Sequence, residues 1–125
     1  MSVPVFTHTD MIEHKPGEGH PERPARLATV LAALRDAALD GDLREAEEAA
    51  VEDLIRVHPP AHVDRMLGAA PDAGLNALDP DTLLSPGTVR AARLAAGAAI
   101  QAARAVAAGE TDRAFAAVRP PGHHA

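Results

Sequence analysis

Seven histidines, eighteen carboxylates and no cysteine bound the chemistry open to this 125-residue chain. Two of the histidines are adjacent, His123 and His124, and they follow Arg119-Pro120-Pro121-Gly122. In a regular strand neighbouring side chains point to opposite faces, so such a pair could not serve one site there. A Pro-Pro-Gly approach ends any strand and lets the chain turn, and both imidazoles can then aim at one pocket. Imidazole exchanges protons near neutral pH, so a convergent pair points to acid–base chemistry. The plainer reading of the same dipeptide is an exposed tail or a metal-sticky pair. Covalent routes are nearly closed. There is no thiol, and the only serines are Ser2, near a terminus, and Ser85, which a helix cap would explain. What remains is acid–base or metal chemistry on histidine and carboxylate. Taken alone, Asp81 reads as a solvated turn carboxylate and Arg26 as a solvated helix cation.

The elements that must position these groups alternate. Residues 3–7 are rich in β-branched side chains and read as an opening strand. Residues 8–23 hold glycines, prolines and histidines with few large apolar groups, which is loop chemistry. Pro24 stands at the first position of a helix whose face is Leu27, Val30, Leu31, Leu34 and Ala38, ending near Gly41. The acidic stretch 45–48 leads into Ala49-Ala50-Val51, read as a short strand, and then a helical turn through Leu54 and Ile55. Pro59-Pro60 breaks that turn, and Val63, Met66 and Leu67 mark another short helix. Residues 70–84 read as a long structured loop. Ser85-Pro86 supplies an N-cap and first-turn proline for a helix running to about Ala108. Its expected buried stripe is Val89, Ala92, Ala96, Ile100, Ala103 and Ala107, opposite Arg90, Arg93, Gln101 and Arg104. Residues 113–118 form a strand of the buried type that delivers the proline-locked approach. Such alternation argues an α/β class with a parallel sheet and helices on its faces, where chemistry collects at the carboxyl ends of strands.

Composition excludes several classes. Lys+Arg of 12 against Asp+Glu of 18 gives a formal charge of −6 with no basic run, so nucleic acid is not an expected partner. No apolar run reaches the roughly twenty residues that span a bilayer, and no secretion signal is visible. A cytoplasmic location is therefore expected. There is no Trp or Tyr, and Phe6 and Phe115 are the only aromatic residues beyond the histidines, so a thin core of Ala, Leu, Val and Ile is expected.

Arg119-Pro120-Pro121-Gly122-His123-His124-Ala125 resembles the active-site motif of the histone deacetylase superfamily, which includes acetylpolyamine amidohydrolases and acetoin-utilisation proteins. Three upstream stretches fit the family's order: Gly19-His20-Pro21-Glu22-Arg23-Pro24-Ala25-Arg26-Leu27, Leu54-Ile55-Arg56-Val57-His58 and Leu78-Asp79-Pro80-Asp81-Thr82. The Arg-Pro-Pro-Gly form is similar to the class II and polyamine-type branches. The resemblance implies the N-terminal part of an arginase/deacetylase-type fold, with residues 1–125 covering well under half of one such domain.

The function it implies is hydrolysis of an acetamide, on N-acetyl-lysine or an acetylpolyamine, by water activated on a divalent metal, usually zinc. By the resemblance His123 and His124 are the proton-transfer pair rather than ligands, with the larger share on His124. Asp81 becomes the rim aspartate that accepts hydrogen bonds from the substrate backbone or amide, and Arg26 lines the interior channel behind the metal. His20 is structural or rim-lining, and His58 caps or packs locally. The family's Asp-x-His pair, later Asp and oxyanion-stabilising Tyr have no counterpart here, so the Zn2+ ligands are expected downstream. His62 and Leu83 stand where the family often has Tyr. The isolated chain is expected to be inactive and poorly folded. Two rival readings are a short non-catalytic binding or assembly module that keeps the opening of the fold, and a metal-binding module in which His8, His14, His20 and the pair converge.

Overall fold

The computed structural model describes residues 2–122. Val5–Thr7 (β1) lies at the centre of a three-stranded sheet, flanked by Leu43–Glu45 (β2) and Phe115–Ala116 (β5), and both pairings are parallel. Val5 and Phe6 are buried on opposite faces of β1, as the centre of a covered parallel sheet requires. The ladder continues past the strand ends through Ala46 N–H to Thr7 O and Ala117 N–H to Phe6 O. The helices are Pro24–Asp36 (α1), Val51–Leu54 (α2), Pro60–Leu67 (α3) and Thr88–Ala107 (α4). Asn76–Asp79 (β3) and Thr82–Leu84 (β4) form an antiparallel hairpin. Helices therefore flank a parallel sheet, as the α/β alternation predicts.

The core joins Val5, Phe6, Met11, Leu27, Leu94, Ala98, Ala105 and Ala117, with Val30, Leu31 and Leu34 packed against it. Leu27, Val30, Leu31 and Leu34 of the expected α1 face are thus packed, whereas Ala38 is exposed. The helix stops at Asp36, earlier than Gly41, and Ala38 follows at φ 54°, a left-handed residue that closes the C-terminus. Met11 is fully buried in a 3-10 helix, Thr9–Glu13, within the stretch read as loop. The nucleating signal there is His8, whose Nδ1 accepts from Asp10 N–H as an N-cap.

Five expectations move. The second strand is 43–45, not 49–51. Residues 46–49 run instead along α4, where Ala49 N–H donates to Arg93 O and the Arg93 guanidinium donates back to Ala49 O. A Cβ on Gly97 would lie 1.7 Å from Glu47 O, so only glycine admits this backbone-to-helix approach. The buried face of α4 is Ala91, Leu94, Ala95, Ala98 and Ala105, rotated from the expected stripe, in which Ala92, Ala103 and Ala107 are exposed. The helix is alanine-rich nearly all round, so periodicity alone does not choose its inner face. Ser85 is not the cap, since Gly87 holds that position. The Ser85 hydroxyl donates to Glu13 O and accepts from Lys15 N–H, tying the post-β1 loop to the head of α4. Residues 76–84 are the hairpin rather than loop, because Asp79 accepts from Asp81 N–H and Thr82 Oγ1 and closes the turn across Pro80. Finally, β5 is two residues long and Phe115 stays half-exposed.

Candidate functional site

The loops leaving the carboxyl ends of β1 and β5 meet, as the parallel-sheet rule predicts. Residues 8–23 follow β1, residues 117–122 follow β5, and a cleft of about 1050 Å³ opens beside them. His14, His20, Glu22 and Arg26 give it a polar lining, with Pro120 and Pro121 beside them. Other walls are apolar: Val63, Met66 and Leu67 from α3, Leu83 and Leu84 from β4, and Val89, Ala92 and Ala96 from α4. The α4 residues expected in the core therefore line the cleft. Such a lining suits an aliphatic stem that carries a polar group.

Arg119 is completely buried where the chain leaves the sheet. Its Nη1 donates to Met11 O at 2.6 Å and its Nη2 to Glu22 Oε2 at 2.8 Å. The other Glu22 oxygen, Oε1, accepts from Arg26 Nε at 2.9 Å, and Arg26 Nη2 donates to Val118 O. Burial alone would raise the Glu22 carboxyl. Hydrogen bonds and positive charge from the two arginines outweigh it and hold the group below the usual carboxylate range.

His14 lies against this pair. Its Nδ1 is 2.8 Å from Thr88 Oγ1 and its Nε2 is 3.7 Å from Glu22 Oε2. Desolvation, aided by the charges of Arg119 and His20 and opposed by Glu22, lowers His14 to about 4, so it is neutral at pH 7. His20 Nδ1 accepts from Glu22 N–H, which leaves its Nε2–H to donate to Asp81 O at 3.1 Å.

The expected site residues thus fall as follows. Asp81 is exposed at the hairpin turn on the cleft rim, tethered by His20, which is rim-lining and structural as expected. Arg26 is not a free surface cation. It borders both the cleft and a smaller adjoining cavity of about 470 Å³ shared with Gly19, Arg23 and Thr29. His58 packs locally against His62, with ring centroids 5.3 Å apart. His123 and His124 lie outside the described residues, whereas Pro120 and Pro121, which lead to them, line the cleft. Sequence reading missed Arg119, Glu22 and His14 as a unit. The position of Arg119, just beyond a strand and before two prolines, is the one signal that could have marked it.

Among the described residues, no three His, Asp or Glu side chains are placed to hold a metal ion. His8, His14 and His20 each have separate partners, Glu45, Thr88 and Asp81, which removes support for a histidine-built metal module from these three. The described carboxylates and imidazoles do not fit a zinc ligand set, since Glu22 is engaged by two arginines and His14 by a threonine.

Residues 20–125 match the family model described as histone deacetylase domain. The chain is 44% identical over 108 residues to the histone deacetylase-like amidohydrolase of Pseudomonas aeruginosa, covering 85% of this chain and 28% of that protein. It is 40% identical over 110 residues to the human polyamine deacetylase HDAC10, covering 82% of this chain and 16% of that one. The crystal structure of the HDA15 HD domain superposes with a TM-score of 0.92 at 35% identity, covering 99% of this chain and 36% of that chain. The chain therefore spans about a third or less of the length of these relatives. With its motifs set around one cleft at the carboxyl ends of a parallel sheet, this chain belongs to the histone deacetylase family.

Proposed function

We propose that the whole protein is a zinc-dependent amidohydrolase that removes the acetyl group from N-acetyl-lysine or an acetylpolyamine. The observation that carries this reading is the shared cleft: Asp81, Arg26 and Pro120–Pro121, drawn from three separate family motifs, line one cavity together with apolar side chains of α3, β4 and α4. Zinc would supply the activated water, and its ligands belong outside the residues described here. The chain's own contribution is to hold the aliphatic stem between α3, β4 and α4, and to accept the substrate N–H at Asp81. His123 and His124 would move protons to and from the reacting amide.

The test is acetate release by the full-length protein from an acetyl-lysine peptide and from an acetylpolyamine. Activity on either supports the reading, and inactivity on both, in a folded zinc-loaded protein, sinks it. Within an active protein, His124→Ala should cost roughly a hundred- to ten-thousand-fold in kcat with bound zinc retained. Loss of zinc along with activity would show that this histidine is a ligand. Asp81→Ala should impair turnover with the thermal melt unchanged.

A further inference from the structure

We propose that Glu22 is the positioning residue of this site, an inference that rests on the deacetylase reading above. Its two oxygens are divided between two arginines from different elements. Oε1 takes Arg26 of α1, and Oε2 takes Arg119 at the exit of β5. Each arginine also grips backbone across the gap: Arg119 donates to Met11 O, and Arg26 donates to Val118 O. The result is a closed circuit that joins the 3-10 helix after β1, the head of α1 and the exit of β5 through one carboxylate.

Arg119 precedes His123 by only four residues, so whatever sets Arg119 sets where the approach to the histidine pair begins. A fully buried guanidinium deprived of its carboxylate is left uncompensated where water cannot reach it. The readiest relief is for the exit segment to shift toward solvent. A misplacement of about 1 Å in a group aligned for reaction can cost on the order of a hundredfold in rate. Glu22 itself need not touch the substrate for this to happen.

The experiment compares full-length wild type with Glu22→Gln, which keeps length and packing and removes the charge. Turnover of an acetyl-lysine peptide is expressed per folded molecule, with the folded fraction taken from the thermal melt. The expected result is a kcat lower by about tenfold to a hundredfold with KM within about twofold. A structural role alone would lower the melting temperature and leave kcat per folded molecule unchanged, and that outcome overturns the proposal. If Glu22→Gln does not fold, Arg119→Lys is read in the same way. It keeps the cation but cannot span both partners, and full kcat in that variant overturns the proposal equally. A wild type inactive on every acetylated substrate overturns the deacetylase reading itself. An active wild type with an unimpaired Glu22→Gln overturns only the role of Glu22.

Discussion

The two sides of α4 are held by different physics. Toward the sheet, Ala91, Leu94, Ala98 and Ala105 are buried against β1 and the 3-10 helix, and Gly97 lets residues 46–49 lie directly on the helix backbone. That side is close-packed, and its buried contacts are apolar or backbone to backbone. Toward the cleft, Val89, Ala92 and Ala96 face a cavity, and order comes from a buried hydrogen-bonded cluster: Thr88 to His14, with Glu22 and Arg119 behind it. Small residues serve opposite ends on the two sides. On one they admit backbone, and on the other they leave room. The side that keeps a void is the side that spends buried charge on its geometry, as expected where a ligand must be received on a prearranged surface.

If that contrast is right, the largest single loss should come from the charged cluster. Arg119→Met keeps an unbranched side chain but removes the donors to Met11 O and Glu22. Breaking a buried pair in this way costs about 3–4 kcal/mol, since Arg26 still compensates part of the Glu22 charge. Denaturant unfolding of the full-length protein measures it, and a loss below 1 kcal/mol would erase the distinction between the two sides.

The close-packed side is broken by volume instead. Gly97→Ala places a methyl 1.7 Å from Glu47 O, where the neighbour is backbone and cannot swing away. The expected cost is about 2–3 kcal/mol with no dependence on pH, against which Ala92→Gly on the cleft side should cost only the helix propensity difference of about 1 kcal/mol.

Sequence reading caught the outer frame and missed this division. Pro24, the α1 face and the strand–helix alternation are local signals, and the motif order pointed to the family. The face of α4 was ambiguous because alanine lies on nearly every side, and residue pattern carries no information when both faces are small and apolar. The hairpin escaped because its signal is polar: the side chain of Asp79 closes the turn while β3 itself stays exposed. The Arg119–Glu22 contact joins residues 97 apart in the chain, and nothing local distinguishes a buried arginine from a solvated one. His14 sat in a stretch with loop composition, and its burial depends on α4 arriving to offer Thr88.

A third test uses acid. His14 is lowered to about 4 in the folded protein, chiefly by desolvation, from an ordinary value of 6.5. The unfolded chain therefore binds the extra proton first, and stability is full above 6.5 and declines as pH falls from 6.5 toward 4. By pH 5 the loss attributable to this one group should be roughly 2 kcal/mol. Glu22, held below the carboxylate range, adds its own loss only at more acidic pH. His14→Gln should flatten the slope between pH 7 and 5, and an unchanged slope would place the acid sensitivity elsewhere.

The smallest effect is expected from charges that resemble the cluster on paper but sit in water. Glu48 lies within 3.4 Å of Arg90 and 3.7 Å of Arg93, and Arg90 also reaches Asp10. Each of these side chains is between about a quarter and a half exposed, so solvent screens the attraction, and ordering two long arginine side chains offsets what is left. Arg93 keeps its bond to Ala49 O without Glu48. Glu48→Ala should therefore cost under about 0.5 kcal/mol, and less still at high salt. A cost approaching that of Arg119→Met would mean that charge itself, rather than charge taken out of water, orders the cleft side of α4, and the contrast between the two sides would have to be redrawn around the surface network.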